Sequence, residues 1–130
     1  MFSADPAAYL PHRYPFLFLD RITTREQGGG AEAVALVSAD VAFFPPMILL
    51  EAMAQLAGVA AAEQEGEGGF LAAVEHAEIT APPLPGDRLL VSISILKSFG
   101  RLHLVEGEVR RDDTLLAKAK LTLGIGSIET

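Results

Sequence analysis

No cysteine occurs in the chain, which excludes disulfides, thiolate nucleophiles and cysteine-based metal sites. Positive charge is also scarce. Ten Lys and Arg stand against 17 Asp and Glu, leaving a net charge of −7. The densest basic pair, Arg110-Arg111, runs straight into Asp112-Asp113, so nothing offsets the repulsion a phosphate backbone would meet. Nucleic acid is excluded as a partner. No apolar run reaches the ~20 residues of a membrane span, and the greasiest stretch, Met47 to Ala62, carries Glu51 and Gln55 inside it. No membrane association is expected. Met1 to Ala8 lacks a basic n-region and an apolar h-region, so no secretory signal is expected and the location expected by default is cytoplasmic.

Half of the 130 residues are apolar, enough for one buried core and too short a chain for two. The expectation is a single domain over residues 1–130. Two strand-like runs, Leu17 to Thr24 and Ala31 to Val37, flank the turn Gly28-Gly29-Gly30. In the second run Glu32, Val34 and Leu36 alternate with alanines, a weakly polarised pattern. Pro45-Pro46 then precedes the stretch rich in Leu, Met, Ala and Glu. Proline is tolerated there because the first N–H groups of a helix have no internal acceptor. This helix is apolar nearly all round and should be buried on most sides.

Everything after it reads as strand. Phe70 to Thr80 is closed by the turn-rich Pro82-Pro83-Leu84-Pro85-Gly86-Asp87. Leu89, Val91, Ile93 and Ile95 then alternate with Leu90, Ser92, Ser94 and Leu96. Gly100 turns the chain into Leu102 to Arg110. Last, Leu115, Ala117, Ala119, Leu121, Leu123 and Ile125 share one face while Lys118, Lys120 and Thr122 share the other. Two strands, a buried helix and about four antiparallel strands in a meander give an α+β chain, one greasy helix wrapped by a curved antiparallel sheet.

Three segments carry a family resemblance. Leu10 to Arg21 (LPHRYPFLFLDR), Glu51 to Gly58 (EAMAQLAG) and Pro82 to Leu89 (PPLPGDRL) resemble, in that order, the β-hydroxyacyl-acyl-carrier-protein dehydratases. The resemblance implies a hot-dog fold and action on 3-hydroxyacyl thioesters of acyl-carrier protein or CoA, in fatty-acid or related acyl-chain biosynthesis. It also implies a homodimer or a multiple of dimers, consistent with the edges and apolar flank that such a sheet leaves. Neither a cofactor nor a metal is implied.

Glu51 is the candidate catalytic residue. A carboxylate in an apolar helix costs several kcal/mol unless it is paired, protonated or facing a wet cavity. Gln55 lies one turn later on the same face. In the resembled family the matching glutamate is catalytic and the glutamine assists it. The bland alternative for Glu51 is a structural hydrogen bond to a loop at a dimer contact. With Gln55, the residues Phe43, Phe44 and Met47 before and at the helix start are the substrate-binding candidates.

Dehydration needs a base for the proton beside the carbonyl, an acid for the departing hydroxyl and donors for the enolate-like oxygen. The family supplies the first from a histidine in an HFPG-type loop, paired with the helix glutamate of the neighbouring subunit. Here the matching loop, Asp40 to Met47, is shorter and holds no histidine; none occurs between Gln27 and Glu75. Glycines of the pattern are replaced by prolines, which have no N–H to donate.

His76 and His103 read as ordinary strand residues, His12 as a turn residue and Asp40 as a solvated loop residue. Three readings remain open: an atypical dehydratase using Glu51, a non-catalytic acyl-binding or partner subunit of a heteromeric dehydratase, and a hot-dog thioesterase; a histidine-bearing paralogue is a possible partner that would complete the site. If a carrier protein docks, Arg13, Arg21, Arg88, Lys97 and Arg101 are the candidate contacts.

Overall fold

A computed structural model describes residues 4–6, 19–37, 47–62 and 67–127, excepting the side chains of 67–70, 126 and 127. Six strands and one helix follow each other as β1 (Arg21–Glu26), β2 (Gly30–Leu36), α1 (Met47–Ala61), β3 (Glu67–Ile79), β4 (Arg88–Phe99), β5 (Leu102–Arg111) and β6 (Thr114–Ser127). The strands form one antiparallel sheet in the order β1-β2-β4-β5-β6-β3. Only β4, β5 and β6 make the expected meander. β3 instead lies at the far edge, beside β6. Its link to β4 crosses the end of β6, where the Thr80 amide donates to the Leu116 carbonyl at 2.8 Å and the Thr80 hydroxyl to Leu115 at 2.6 Å.

The helix lies on one face of this sheet, and its Leu- and Ala-rich composition decides how close it comes. On β2 the residues turned toward it are Ala31, Ala33 and Ala35, all buried, whereas Leu36 is 57% exposed. The weak polarity of that strand is therefore a packing device: methyl groups leave room for the helix. On β5 the same room comes from Gly107. A Cβ there would stand 2.7 Å from Met53 Sδ and 3.1 Å from Ile93 Cγ2. Gly30 is tighter in kind, since its Cβ would meet the Ile93 backbone oxygen at 2.7 Å. Gly107→Ala is expected to cost about 1–3 kcal/mol by overpacking, and Gly30→Ala more, because a backbone carbonyl cannot rotate away as a methionine can. Urea unfolding of the two variants checks the order.

The C-terminal end of α1 is fastened to the β1–β2 hairpin. Arg25 donates from Nε to the Val59 carbonyl (2.8 Å) and from Nη2 to the Ala62 carbonyl (2.5 Å). The Gly28 amide, at positive φ in the turn, donates to Ala60 (2.8 Å). Carbonyls that an α-helix leaves unpaired at its end are thus satisfied, by a cation that also suits the negative end of the helix dipole.

β6 departs from strict alternation at one point. A register shift opposite Val109 and Arg110 turns Leu116 inward, fully buried, and leaves Leu115 only half-buried. Beyond it, Ala117, Ala119, Leu121, Leu123 and Ile125 are buried as their alternation with Lys118, Lys120 and Thr122 requires.

The turn before β4 is closed by Asp87. Its carboxylate accepts from the Leu84 amide at 2.7 Å and from Arg111 Nη1 at 2.8 Å. Burial pushes this carboxyl up, but the bonds and charge of Arg111 and the Leu84 amide outweigh it and hold it below the usual value. A carboxyl lowered in the folded state stabilises above its unfolded value, near ~4, and loses that contribution as pH falls toward the folded value. The gap in urea midpoint between the wild type and Asp87→Asn is therefore expected at pH 7 and should close toward pH 3.

Candidate functional site

Almost the whole helix is sealed. Leu49, Leu50 and every residue from Ala52 to Ala61 are buried, and only Met47, Ile48 and Glu51 reach the outside. Met47 is 61% exposed and Gln55 only 2%. Met47, Glu51 and Gln55 follow at i, i+4 and i+8, one stripe running from the surface into the core. Glu51 sits where that stripe crosses the boundary, half-buried. Both Glu51 and Gln55 are engaged in polar contacts.

This geometry fits proton transfer. The carboxylate stands on the second turn of a helix whose first N–H groups have no intrahelical acceptor. Those amides, with the positive end of the helix dipole, favour a developing oxyanion nearby. Gln55, beneath Glu51, is a buried amide that offers both a donor and an acceptor.

The other expected site residues divide. Phe43, Phe44 and Asp40 lie outside the described residues, as do His12 and Arg13 and most of the first resembled segment. His76 and Glu51 do not come together. His76 stands on β3 opposite Lys120, on the face away from the helix. Its Nε2 contacts Glu78 Oε1 at 3.1 Å, and both side chains are mostly exposed. His103 lies at the β5 end of the β4–β5 hairpin, its Nδ1 2.7 Å from the Ser98 hydroxyl. The four basic candidates that are described separate as well. Arg21 and Arg88 lie toward the end of the sheet where β2 finishes, while Lys97 and Arg101 sit at the β4–β5 turn.

Sequence reasoning passed over Arg25, whose guanidinium fixes the helix end. Nothing in its spacing sets it apart from a solvated strand arginine. Among the described residues no group of three His, Asp or Glu is placed to hold a metal ion, and no helix is long and apolar enough to cross a membrane.

A helix seated on a six-stranded antiparallel sheet in this order defines a hot-dog protein. The chain belongs to the ApeP-like dehydratase family, whose model matches residues 4–124. It is 34% identical to the 3-hydroxyacyl-[acyl-carrier-protein] dehydratase FabZ of Vibrio cholerae serotype O1, over 86% of this chain and 83% of that protein. Against the FabZ of Bacillus velezensis the identity is 32%, over 90% and 92%. In structure it is similar to the dehydratase heterocomplex ApeI:P from Xenorhabdus doucetiae, with a TM-score of 0.80 at 20% identity, over 98% of this chain and 93% of that one.

Proposed function

We propose that the chain acts on 3-hydroxyacyl thioesters of acyl-carrier protein or CoA, in the cytoplasm, as one half of a dehydratase site whose base comes from a second subunit. The observation that carries this is Glu51, the one carboxylate on an otherwise sealed apolar helix, at the point where that helix opens. In the reaction the C2–H bond and the C3–O bond break, the C2=C3 double bond forms, and the hydroxyl leaves as water. Glu51 serves as the acid that protonates the leaving hydroxyl, Gln55 orients it, and Met47 with Phe43 and Phe44 lines the acyl path. The first-turn amides face the thioester oxygen. The base is the missing member, since no histidine occurs between Gln27 and Glu75.

That absence favours a histidine-bearing relative as the second subunit, and the likeness to a dehydratase heterocomplex supports the same reading. The free edge of the sheet is the natural meeting place. Among the described residues β3 is paired only on its β6 side, and Val74 and Ile79 on it are 44% and 37% exposed, although the neighbouring Leu121 and Ala117 are wholly buried. An uncovered apolar edge of this length seeks a partner. Alone, the chain is expected to form a homodimer or a multiple of it through this edge. Light scattering that finds only the 13.8 kDa monomer at micromolar concentration overturns that part.

The reaction class is tested with crotonyl and 3-hydroxyacyl thioesters, following double-bond change and free thiol together. Double-bond change is the expected result for the completed pair. Release of thiol instead assigns a thioesterase, and neither change in any pairing leaves an acyl-binding subunit.

A further inference from the structure

Strands β5 and β6 each turn a row of side chains away from the helix, and the two rows differ in sign. On β5 the outward positions include Leu104, Glu106 and Glu108, since Val105, Gly107 and Val109 between and beyond them are buried. On β6 they include Thr122, Lys120 and Lys118, which alternate with the buried Ala117, Ala119 and Leu121. The strand register sets the rows level, with Leu104 beside Thr122, Glu106 beside Lys120 and Glu108 beside Lys118. An acidic row and a basic row therefore run side by side along the outer face.

These rows are not engaged with each other. Among the described residues neither lysine makes an ion pair, and nor does Glu106. Glu108 Oε2 accepts from Arg110 Nε at 3.1 Å, which leaves carboxylate lone pairs for a second donor. Both lysines are exposed. Together with Glu75, His76, Glu106 and Ala119 they line a hollow of about 440 Å³.

We infer that this face docks on a second copy of itself, about a twofold axis that runs along the strands between β5 and β6. That operation lays β5 of each copy over β6 of the other and keeps the rungs level. Glu106 then meets Lys120 and Glu108 meets Lys118, reciprocally in both copies. Facing sheets stand ~10 Å apart, a gap that a lysine from one side and a glutamate from the other bridge end to end. The hollow beside the lysines receives Glu106 of the second copy. A twofold at right angles to the strands would instead set acid on acid and lysine on lysine. Charge also decides the occupant. A partner of one sign, whether a polyanion or a basic peptide, meets repulsion from half of the stripe. The copy carries both signs at the required spacing. This contact is separate from the β3 edge and does not rest on the proposed reaction.

Exposed ion pairs are individually weak, so the full chain is followed by light scattering at concentrations up to ~1 mM. Salt is held at ~0.15 M, where a screening length of ~8 Å mutes the net charge of −7 but not pairs in contact. The wild type is expected to reach twice the mass of Lys118→Glu/Lys120→Glu and of Glu106→Lys/Glu108→Lys. The second variant lowers the net negative charge, so its dissociation is not general repulsion. Mixed together, the two variants offer an all-acidic stripe to an all-basic one and should regain the doubled mass, which also shows that both are folded. A wild type no heavier than either variant overturns the inference, and so does a mixture that stays apart. A wild type that doubles only when a histidine-bearing relative is present overturns it too and gives the face to that partner. Failure of the β3 edge reads differently: the variants are then 13.8 kDa monomers, while the wild type still doubles.

Discussion

Mixing the chain with a histidine-bearing relative is expected to raise turnover by about 10² to 10⁴ over the chain alone, the usual contribution of a general base. The relative should have its own helix carboxylate replaced, so that only the hybrid site holds both groups. The chain alone lacks any histidine from Gln27 to Glu75. Its His76 is on the wrong face of the sheet, bonded to Glu78. Robust turnover by the chain alone overturns the shared-site reading, and Asp40→Asn and His76→Ala then identify the substitute base. The measurement is loss of the 3-hydroxyacyl thioester, with the mass of the mixed complex followed by light scattering.

The second expected result is that Glu51→Gln, made in that mixed complex, abolishes the gain, returning turnover by about 10² to 10⁴. Glutamine keeps the shape and the hydrogen-bonding reach of glutamate but cannot carry the proton. Because Glu51 is half-buried at the start of the helix rather than in its packed centre, thermal stability should be nearly unchanged. A variant that unfolds shows that the carboxylate is structural. A folded variant that retains turnover shows that another group is the acid. Gln55→Ala tests the neighbouring position differently. It removes a fully buried, partnered amide, so its effect mixes stability with activity, whereas Glu51→Gln separates them.

Much of this architecture is legible in the residue pattern, for identifiable reasons. The long alternation from Leu115 to Ile125 has period two and one charged face, so strand and orientation follow from it. The helix announces itself by length and by proline just before it. Two features escape. The place of β3 at the edge beside β6 is not encoded by β3 alone, because its run is apolar and alternates poorly. Its position is set by Thr80 on Leu116 and by Asp87 on Arg111, contacts between residues far apart in sequence. The closeness of helix and sheet also hides, since Ala31, Ala33, Ala35 and Gly107 read as weak positions until the helix is seen against them. At the site, the stripe of Met47, Glu51 and Gln55 is legible from spacing, and the family supplies its chemistry. Arg88 stands at one end of β4, and Lys97 and Arg101 lie at the other, at the turn into β5.

The fastening of the helix at one end has a consequence for how the protein adapts. Arg25 and the Gly28 amide hold the carbonyls of Val59, Ala60 and Ala62, and Gly107 seats Met53 at the middle. A helix pinned at its tail and waist can neither slide nor roll to suit a larger ligand. Freedom is left to the first turn, around Met47, which is 61% exposed. Amide hydrogens should show this gradient directly, exchanging quickly at Ile48 and Leu49 and slowly from Met53 to Ala60.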